Sequence, residues 1–347
     1  MKRCYKTLLL LAIVLIISMV GAGCGQEKPV LNVYNWGDYI DPDVIKDFEE
    51  EFNIKVNYST FTTNEDMYVK LKSGGTSYDV AFPSDYMIEK MIKEDMLLKI
   101  DMNNIPNYKN IDDKFKKLDF DPNDEYSVPY MWGTFGIIYN KNVVKDKVDS
   151  WNILWDEKYS DQILMLDSQR DSIAVALKKL GYSMNSKDLK ELGKAKEELV
   201  KQKPLLLAYV GDEVKDMMIG EEAALAVVWS GDAVYMMREN TNLDYVIPKE
   251  GSNLWFDNIV IPKTCKNKKD AELFIDFLCR PDIAARNTKY IGYSTPNKEA
   301  LKELPKKITE DKVAYPSDEE VENCEIFNDP GKFVKEYDRI WTEVKVQ

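Results

Sequence analysis

The chain of 347 residues contains no histidine. That absence removes Ser–His and Cys–His nucleophile pairs and every imidazole metal site. Cysteine is scarce as well, five in all. Beyond the N-terminal segment only Cys265, Cys279 and Cys324 remain, and an odd, sparse set is no disulfide framework. Cys279 shares an apolar helical face with Ala271, Phe274, Ile275 and Leu278 and reads as a small core residue. Cys265 and Cys324 carry no readable role. Positive charge is short too: 47 Lys and Arg stand against 60 Asp and Glu, a net charge of -13. Such acidity argues against a nucleic-acid partner. It suits a cationic ligand, whose local concentration a negative field raises, although plain solubility explains it equally.

The N-terminus departs from the rest. Lys2, Arg3 and Lys6 precede an apolar run, Leu8 to Val20, and then Gly21-Ala22-Gly23-Cys24. This is the pattern of a secretory signal over residues 1–23, too short for a membrane span. Small residues ending at a cysteine resemble a bacterial lipobox, in which Cys24 becomes lipidated. Gly21 departs from the leucine preferred there, and secretion with Cys24 unmodified is the alternative. Residues 24–29 then form a tether. Loss of the segment takes the net charge from -13 to -16, and the remaining chain lies outside the cytoplasm, anchored at the cell membrane or free in the periplasm.

What remains is longer than a typical single core. Strand-like and helix-like patterns alternate throughout, which predicts α/β layering. Strands are expected at 31–36, 54–58, 80–82, 163–166, 205–209, 224–229 and 255–261. Helices are expected from Asp41-Pro42, from Asn64 as cap, after Ser84, after Asp171, over 186–203, from Gly231-Asp232, over 268–279, from Pro281, and over 331–346. Two stretches break the alternation. Tyr126 to Tyr139, rich in aromatics and glycine, matches neither a periodic helix nor an ordinary strand and reads as a first crossing between lobes. Trp255 to Ile261 reads as the crossing back. The expected division is therefore 30–132 with 257–300 as one lobe and 133–256 with 301–347 as the other. A chain that crosses twice leaves a cleft with the crossings as hinge, and such clefts are preferred small-molecule sites.

The chemistry collects at strand ends and helix starts, where open α/β sheets bind ligands. Trp36, Asp38 and Tyr39 follow the first strand. Ser84 and Tyr86 follow the third. Asp167 and Asp171 follow the strand ending at Leu166, and Trp229 ends another with Asp232 three residues on. Trp255 and Asp257 sit two apart in the second crossing, which in a strand places them on one face. A π face beside a carboxylate is what an organic ammonium ion requires. Taken singly, a core tryptophan and a strand-end aspartate explain that pair as well; Ser84 and Asp232 could equally be helix caps. Repetition of the pairing at successive strand ends favours a polycation. Charged hydrogen bonds contribute roughly 1.5–3 kcal/mol each and a desolvated cation over a ring about 2 kcal/mol.

The motifs Tyr34-Asn35-Trp36-Gly37-Asp38-Tyr39, Val128-Pro129-Tyr130-Met131-Trp132-Gly133, Trp229-Ser230-Gly231-Asp232 and Trp255-Phe256-Asp257 resemble those of bacterial polyamine-binding proteins, the spermidine/putrescine receptors of ABC importers. Phe277-Leu278-Cys279-Arg280-Pro281-Asp282 and Ile291-Gly292-Tyr293-Ser294-Thr295-Pro296-Asn297 resemble the wider solute-binding class. The resemblance covers the chain from about Leu31 to the C-terminal helix. It implies a two-lobed type II periplasmic-binding-protein-like α/β fold, no enzymatic activity and no cofactor or metal. It implies a polyamine ligand, delivery to a membrane permease, and a monomer. It puts aromatic contacts at Trp36, Tyr39, Tyr86, Trp229, Trp255 and Tyr293, acids at Asp38, Asp171 and Asp257, and a hydroxyl at Ser84. Asp232 is associated with putrescine-preferring members. Ser168 replaces a common acid and Phe327 a common amide. Spermidine comes first on this reading and putrescine second. Three other functions stay open: a secreted glycosidase using Asp167 and Asp171, a receptor for another solute such as a sugar, and a sensor. An iron receptor would want adjacent tyrosines, and the chain has no Tyr-Tyr pair.

Overall fold

The computed structural model describes residues 28–346; the expected secretory segment and Cys24 lie outside the described residues. The chain opens with β1 (Val30–Trp36), α1 (Pro42–Phe52), β2 (Lys55–Phe61), α2 (Asn64–Ser73), the two-residue β3 (Val80–Ala81) and α3 (Asp85–Lys93). A long strand, β4 (Ser127–Asn140), leads to β5 (Ile163–Leu166), α4 (Gln169–Lys179), α5 (Leu189–Gln202), β6 (Leu206–Val210), α6 (Val214–Ile219), β7 (Leu225–Trp229), α7 (Ser230–Glu239) and β8 (Leu243–Val246). β9 (Leu254–Val260), α8 (Lys268–Leu278), α9 (Pro281–Ile291) and, after two short helices, α10 (Val334–Val346) complete it.

Local chemistry sets the helix starts. Asp41 caps α1, its carboxylate accepting from Asp43 N, and Pro42 occupies the first turn where its missing N–H costs nothing. α2 is capped by Thr63, whose hydroxyl accepts from Asp66 N at 3.1 Å. The cap therefore falls one residue before the expected Asn64, and the difference frees the Asn64 amide for another task. α4 begins at Gln169 and so contains Asp171 in its first turn, instead of starting after it. α5 begins at Leu189 behind an Asp188 cap, later than the expected 186.

The nine strands lie in the order β2-β1-β3-β9-β4-β7-β5-β6, with β8 also beside β4. β1 runs parallel to β2 and β3, and β5 runs parallel to β6 and β7. Each parallel set is bordered by one antiparallel strand, β9 beside β3 and β4 beside β7. These two border strands pair with each other, Ser127–Thr134 against Leu254–Val260. β4 changes partners between Thr134, which faces Leu254, and Phe135, which faces Trp229. One 14-residue strand thus belongs to both halves of the molecule.

This corrects the reading of 126–139 as non-strand. β4 is buried along nearly its whole length, so the period-2 alternation of a half-exposed strand is missing. Pro129 lowers the strand signal further and sits at a register shift before Met131, where its lack of an N–H is tolerated. Tyr130 and Trp132 are buried core residues of this strand.

Apolar faces follow the pleat. Leu164, Ala226 and Val228 face Val214, Met218, Ala233 and Met236 of α6 and α7. On another side Ile173, Ala176 and Leu177 of α4 pack with Leu192, Ala195 and Leu199 of α5 and with Tyr337, Ile340 and Val344 of α10. In the first half Phe48 of α1 stacks edge-on against Phe274 and Phe277 of α8. Leu304 and Ile308 pack against Ala284 and Ala285 of α9. Cys279 is buried in the main core.

Gly136 marks the tightest point of β4, where the strand is squeezed beside β8. A Cβ there would run into the Val246 carbonyl and the Tyr245 ring. Gly193 in α5 has open space around it. Gly136→Ala should therefore lower unfolding free energy by about 1–3 kcal/mol, whereas Gly193→Ala should raise it by up to about 1 kcal/mol. Urea unfolding checks both; equal changes would mean that β4 and β8 separate freely.

Candidate functional site

Asp257 is the centre of the candidate site. It projects from β9, and α3 begins beside it through a backbone bridge between Ser84 and Asp257. Its Oδ1 accepts from the Ser84 hydroxyl at 2.6 Å and its Oδ2 from the Tyr39 hydroxyl at 2.7 Å. Ser84 occupies the N-cap position of α3, yet its side chain makes no capping bond. Asn64 explains where the hydroxyl points. Its amide oxygen accepts from Ser84 N at 3.1 Å and its amide nitrogen donates to Ser84 Oγ at 3.0 Å. With its lone pair used, the hydroxyl proton is aimed at Asp257.

Asp85 fixes the strand from behind. Its carboxylate accepts from Phe256 N at 3.0 Å and from Tyr86 N at 2.7 Å. It is completely buried, and burial pushes its pKa up to about 8, with the two N–H bonds holding it down and the Asp257 charge adding to the rise. Asp257 itself is pushed up to about 6 by burial, against the pull of the Ser84 and Tyr39 hydroxyls.

Aromatic rings frame this carboxylate. Tyr293 stands edge-on to Trp255 at 5.1 Å and to Tyr39 at 5.5 Å. The face of Tyr293 rests against Gly231 at the start of α7, where any Cβ would enter the ring. Asp232 follows in the first turn of α7, which is not where a cap sits; Trp229 holds that position. Burial raises Asp232 to about 6, opposed by Lys215 and by the Tyr293 hydroxyl. Lys215 on α6 lies 3.9 Å from Asp232 and 3.9 Å from Asp38. Asp38 is exposed, in the left-handed backbone region at φ 48° that aspartate tolerates better than most residues. Trp36 is half-buried, its indole N–H donating to the Phe82 carbonyl at 2.8 Å and its ring tilted over Phe61.

The opposite end gathers Tyr86, Asp171, Arg170 and Phe327. Burial raises Asp171 to about 6, with the Ser168 hydroxyl and Arg170 holding it down. Ser168, which stands where an acid is common, thus serves Asp171 directly. Tyr86 donates to Glu65 at 3.1 Å. The Arg170 guanidinium lies 5.1 Å from the Tyr86 ring and 4.6 Å from that of Phe327, so Phe327 completes a stack where an amide was common. Asp167 is drawn away, paired with Lys345 of α10 at 2.8 Å.

Sequence comparison places these features in a known group. The family model described as bacterial extracellular solute-binding protein matches residues 43–316. The chain belongs to that family. The spermidine/putrescine-binding periplasmic protein of Escherichia coli is 39% identical over 328 residues, covering 94% of each chain. A solved structure from Listeria monocytogenes is 46% identical with a TM-score of 0.89, covering 92% of this chain and 99% of that one. The spermidine/putrescine substrate-binding protein PotD of Streptococcus pneumoniae, solved with calcium and HEPES, is 44% identical with a TM-score of 0.80 and the same coverage. The two-lobed α/β fold expected from sequence is that of this solute-binding family.

Within the solute-binding frame, the structure joins Tyr39, Ser84, Trp255, Asp257 and Tyr293 into one cluster, continued by Asp232 and Asp38 on one side. Tyr86 and Asp171 form the other side. Among the described residues no hydrogen bond or ring contact links the Trp229 side chain to these groups. Asp85, Arg170 and Lys215 went unread in the sequence, and Asn64 was read only as a helix cap. Only Asp85 carried a signal, an acid opening a helix after a buried strand. No group of three or more cysteine or acid side chains suited to a metal occurs among the described residues.

Asp257 has a consequence for stability. Its folded pKa of about 6 lies above its ordinary 3.8, so folding favours its protonated form. That contribution is present below pH 4 and is lost as pH rises through 6. In ligand-free protein Asp257→Asn should gain on the wild type by up to about 3 kcal/mol between pH 4 and pH 7. Thermal and urea unfolding across that range measures it; parallel curves would show an unperturbed Asp257.

Proposed function

We propose that this chain is an extracytoplasmic receptor that closes on a polyamine, spermidine or putrescine, and presents it to the permease of an ABC importer. The observation that carries the reading is the Asp257 carboxylate, held by two hydroxyls and ringed by Trp255, Tyr39 and Tyr293. An alkyl ammonium supplies what such a site lacks, a positive charge on a greasy stem. Asp38, Asp171, Asp232 and Asp257 are the acids open to ammonium groups on this reading. Trp36, Tyr39, Tyr86, Trp229, Trp255 and Tyr293 cover the methylenes, and Ser84 orients Asp257. The names of the relatives in Escherichia coli and Streptococcus pneumoniae support the same ligand class.

The role is non-catalytic. The glycosidase alternative needs Asp167 beside Asp171, and the pairing of Asp167 with Lys345 disfavours it. Lipidation at Cys24, action as a monomer and the lobe limits belong to the proposal as well. Strand pairing supports a hinge in the β4–β9 pair, near 134 and 254. The packing of Leu304 and Ile308 on α9 supports a return to the second lobe later than 301. Among the described residues no helix is long and apolar enough to cross a membrane.

Ligand contacts with both lobes favour closure, a population shift. Isothermal titration with putrescine and spermidine is the direct test, and no heat with either ends the proposal. Asp41 caps α1 and lies 3.9 Å from Arg286, and it is not among the proposed ligand contacts, which makes it the control. Asp257→Asn should weaken binding by about ten- to a hundredfold, the size of a lost charged hydrogen bond, while Asp41→Asn leaves it unchanged. Equal effects would place the site elsewhere. Because Asp171, Asp232 and Asp257 sit near 6 and must be ionised to hold a cation, affinity should also fall from pH 7.5 to pH 5 with proton release on binding. Titration in buffers of different ionisation enthalpy detects that release.

A further inference from the structure

Lys215 is the unexpected cation of the cleft. Its Nζ lies 3.6 Å from Asp212 Oδ1 and 3.9 Å from both Asp232 Oδ1 and Asp38 Oδ2. Asp38 comes from the loop after β1, while the other two belong to the opposite lobe. The Lys215 side chain is only 20% exposed, against 82% for Asp38 and 72% for Asp212. The ammonium therefore sits between exposed acids and the 15% exposed Asp232. No single carboxylate binds it at hydrogen-bond distance, so it acts as a shared counter-charge. Burial disfavours its charge, but Asp232, Asp212 and Asp38 outweigh that and raise its pKa. Asp257 differs: hydroxyls alone hold it. Asp171 likewise has no ion pair among the described residues, since Arg170 donates instead to the Asn328 carbonyl.

We propose that Lys215 is a resident ammonium that fills the Asp38–Asp232 end of the cleft, so that the site selects a ligand with two ammonium groups over one with three. The inference rests on the polyamine reading and deepens it. Two ammonium groups on one alkyl chain use the unpaired acids, Asp257 and Asp171. A third has to displace Lys215 from Asp232 or lie beside it, and like charges at such a distance in a partly desolvated site repel strongly. The protein's own amine thus occupies a position that a longer polyamine would otherwise fill.

Isothermal titration of putrescine and spermidine into the wild type, Lys215→Met and Lys215→Arg tests this at pH 7.5. The wild type should bind putrescine about tenfold or more tighter than spermidine. Lys215→Met should strengthen spermidine and shrink or reverse that ratio, and Lys215→Arg should keep it. A wild type that prefers spermidine overturns the inference. So does a Met variant in which both affinities change by one common factor, which would mark Lys215 as a structural latch. Binding of neither ligand by the wild type overturns the polyamine reading itself, an outcome distinct from the other two.

Discussion

A carboxylate taken out of water between two lobes needs a positive charge, and Asp257 has only hydroxyls. Holding it ionised at neutral pH costs about 3 kcal/mol by the rise in its pKa from 3.8 to about 6. Burial raises Asp171 and Asp232 in the same way, although Lys215 stands beside Asp232. These costs are borne by the molecule when no cation stands beside the acids. A cation that enters the cleft removes them, so its binding energy is largest in the state where the lobes meet. Selectivity for closure then follows from electrostatics, because an open cleft lets water solvate the same acids.

On the proposed reading, the scaffold couples that local demand to whole lobes. β4 and β9 are shared between the halves, and Asp257 stands on β9 within the shared pair. Asp85 ties Phe256 N to the start of α3, so the residue before Asp257 cannot shift without breaking a buried bond. Tyr39 hangs from the loop after β1 and is itself held, its carbonyl accepting from the Tyr130 hydroxyl at 2.8 Å on β4. Each group that touches Asp257 is thus tied back to the scaffold, Tyr39 to β4 and Ser84 to β9 and α2. The second lobe contributes Gly231 against the Tyr293 ring and Lys215 against Asp38. A small residue at 231 lets the lobes approach to contact, and no side chain could take its place.

Much of this was legible from residue order. The i, i+2 spacing of Trp255 and Asp257, the strands at 31–36 and 163–166, and the Pro42 helix start are local signals with local causes. The misses have causes too. β4 shows no alternation because both its faces are buried, so nothing in its pattern marks a strand. Thr63 and Asn64 are both good caps, and only tertiary contact with Ser84 decides between them. Lys215 lies in a six-residue helix of ordinary composition, and its meaning exists only once the fold brings Asp38 to it from the other lobe. Ser168 gives the same lesson: as a departure from a family pattern it looked like a loss, yet its hydroxyl supports the ionised Asp171.

The two ends of the cleft solve one electrostatic problem differently. At the Asp171 end the nearby cation is Arg170, but its guanidinium is spent on three aromatic rings and a carbonyl, leaving Asp171 short of charge. At the Asp232 end the acids outnumber the one cation, yet that cation is a flexible lysine standing among them. A planar guanidinium locked in a stack cannot follow a carboxylate, whereas an ammonium on a four-carbon stem can. One end therefore demands an external charge and the other carries its own. On the polyamine reading, a cleft with that asymmetry would orient an incoming polycation: its ammonium groups would be drawn toward Asp257 and Asp171, and its length would be limited by where Lys215 begins.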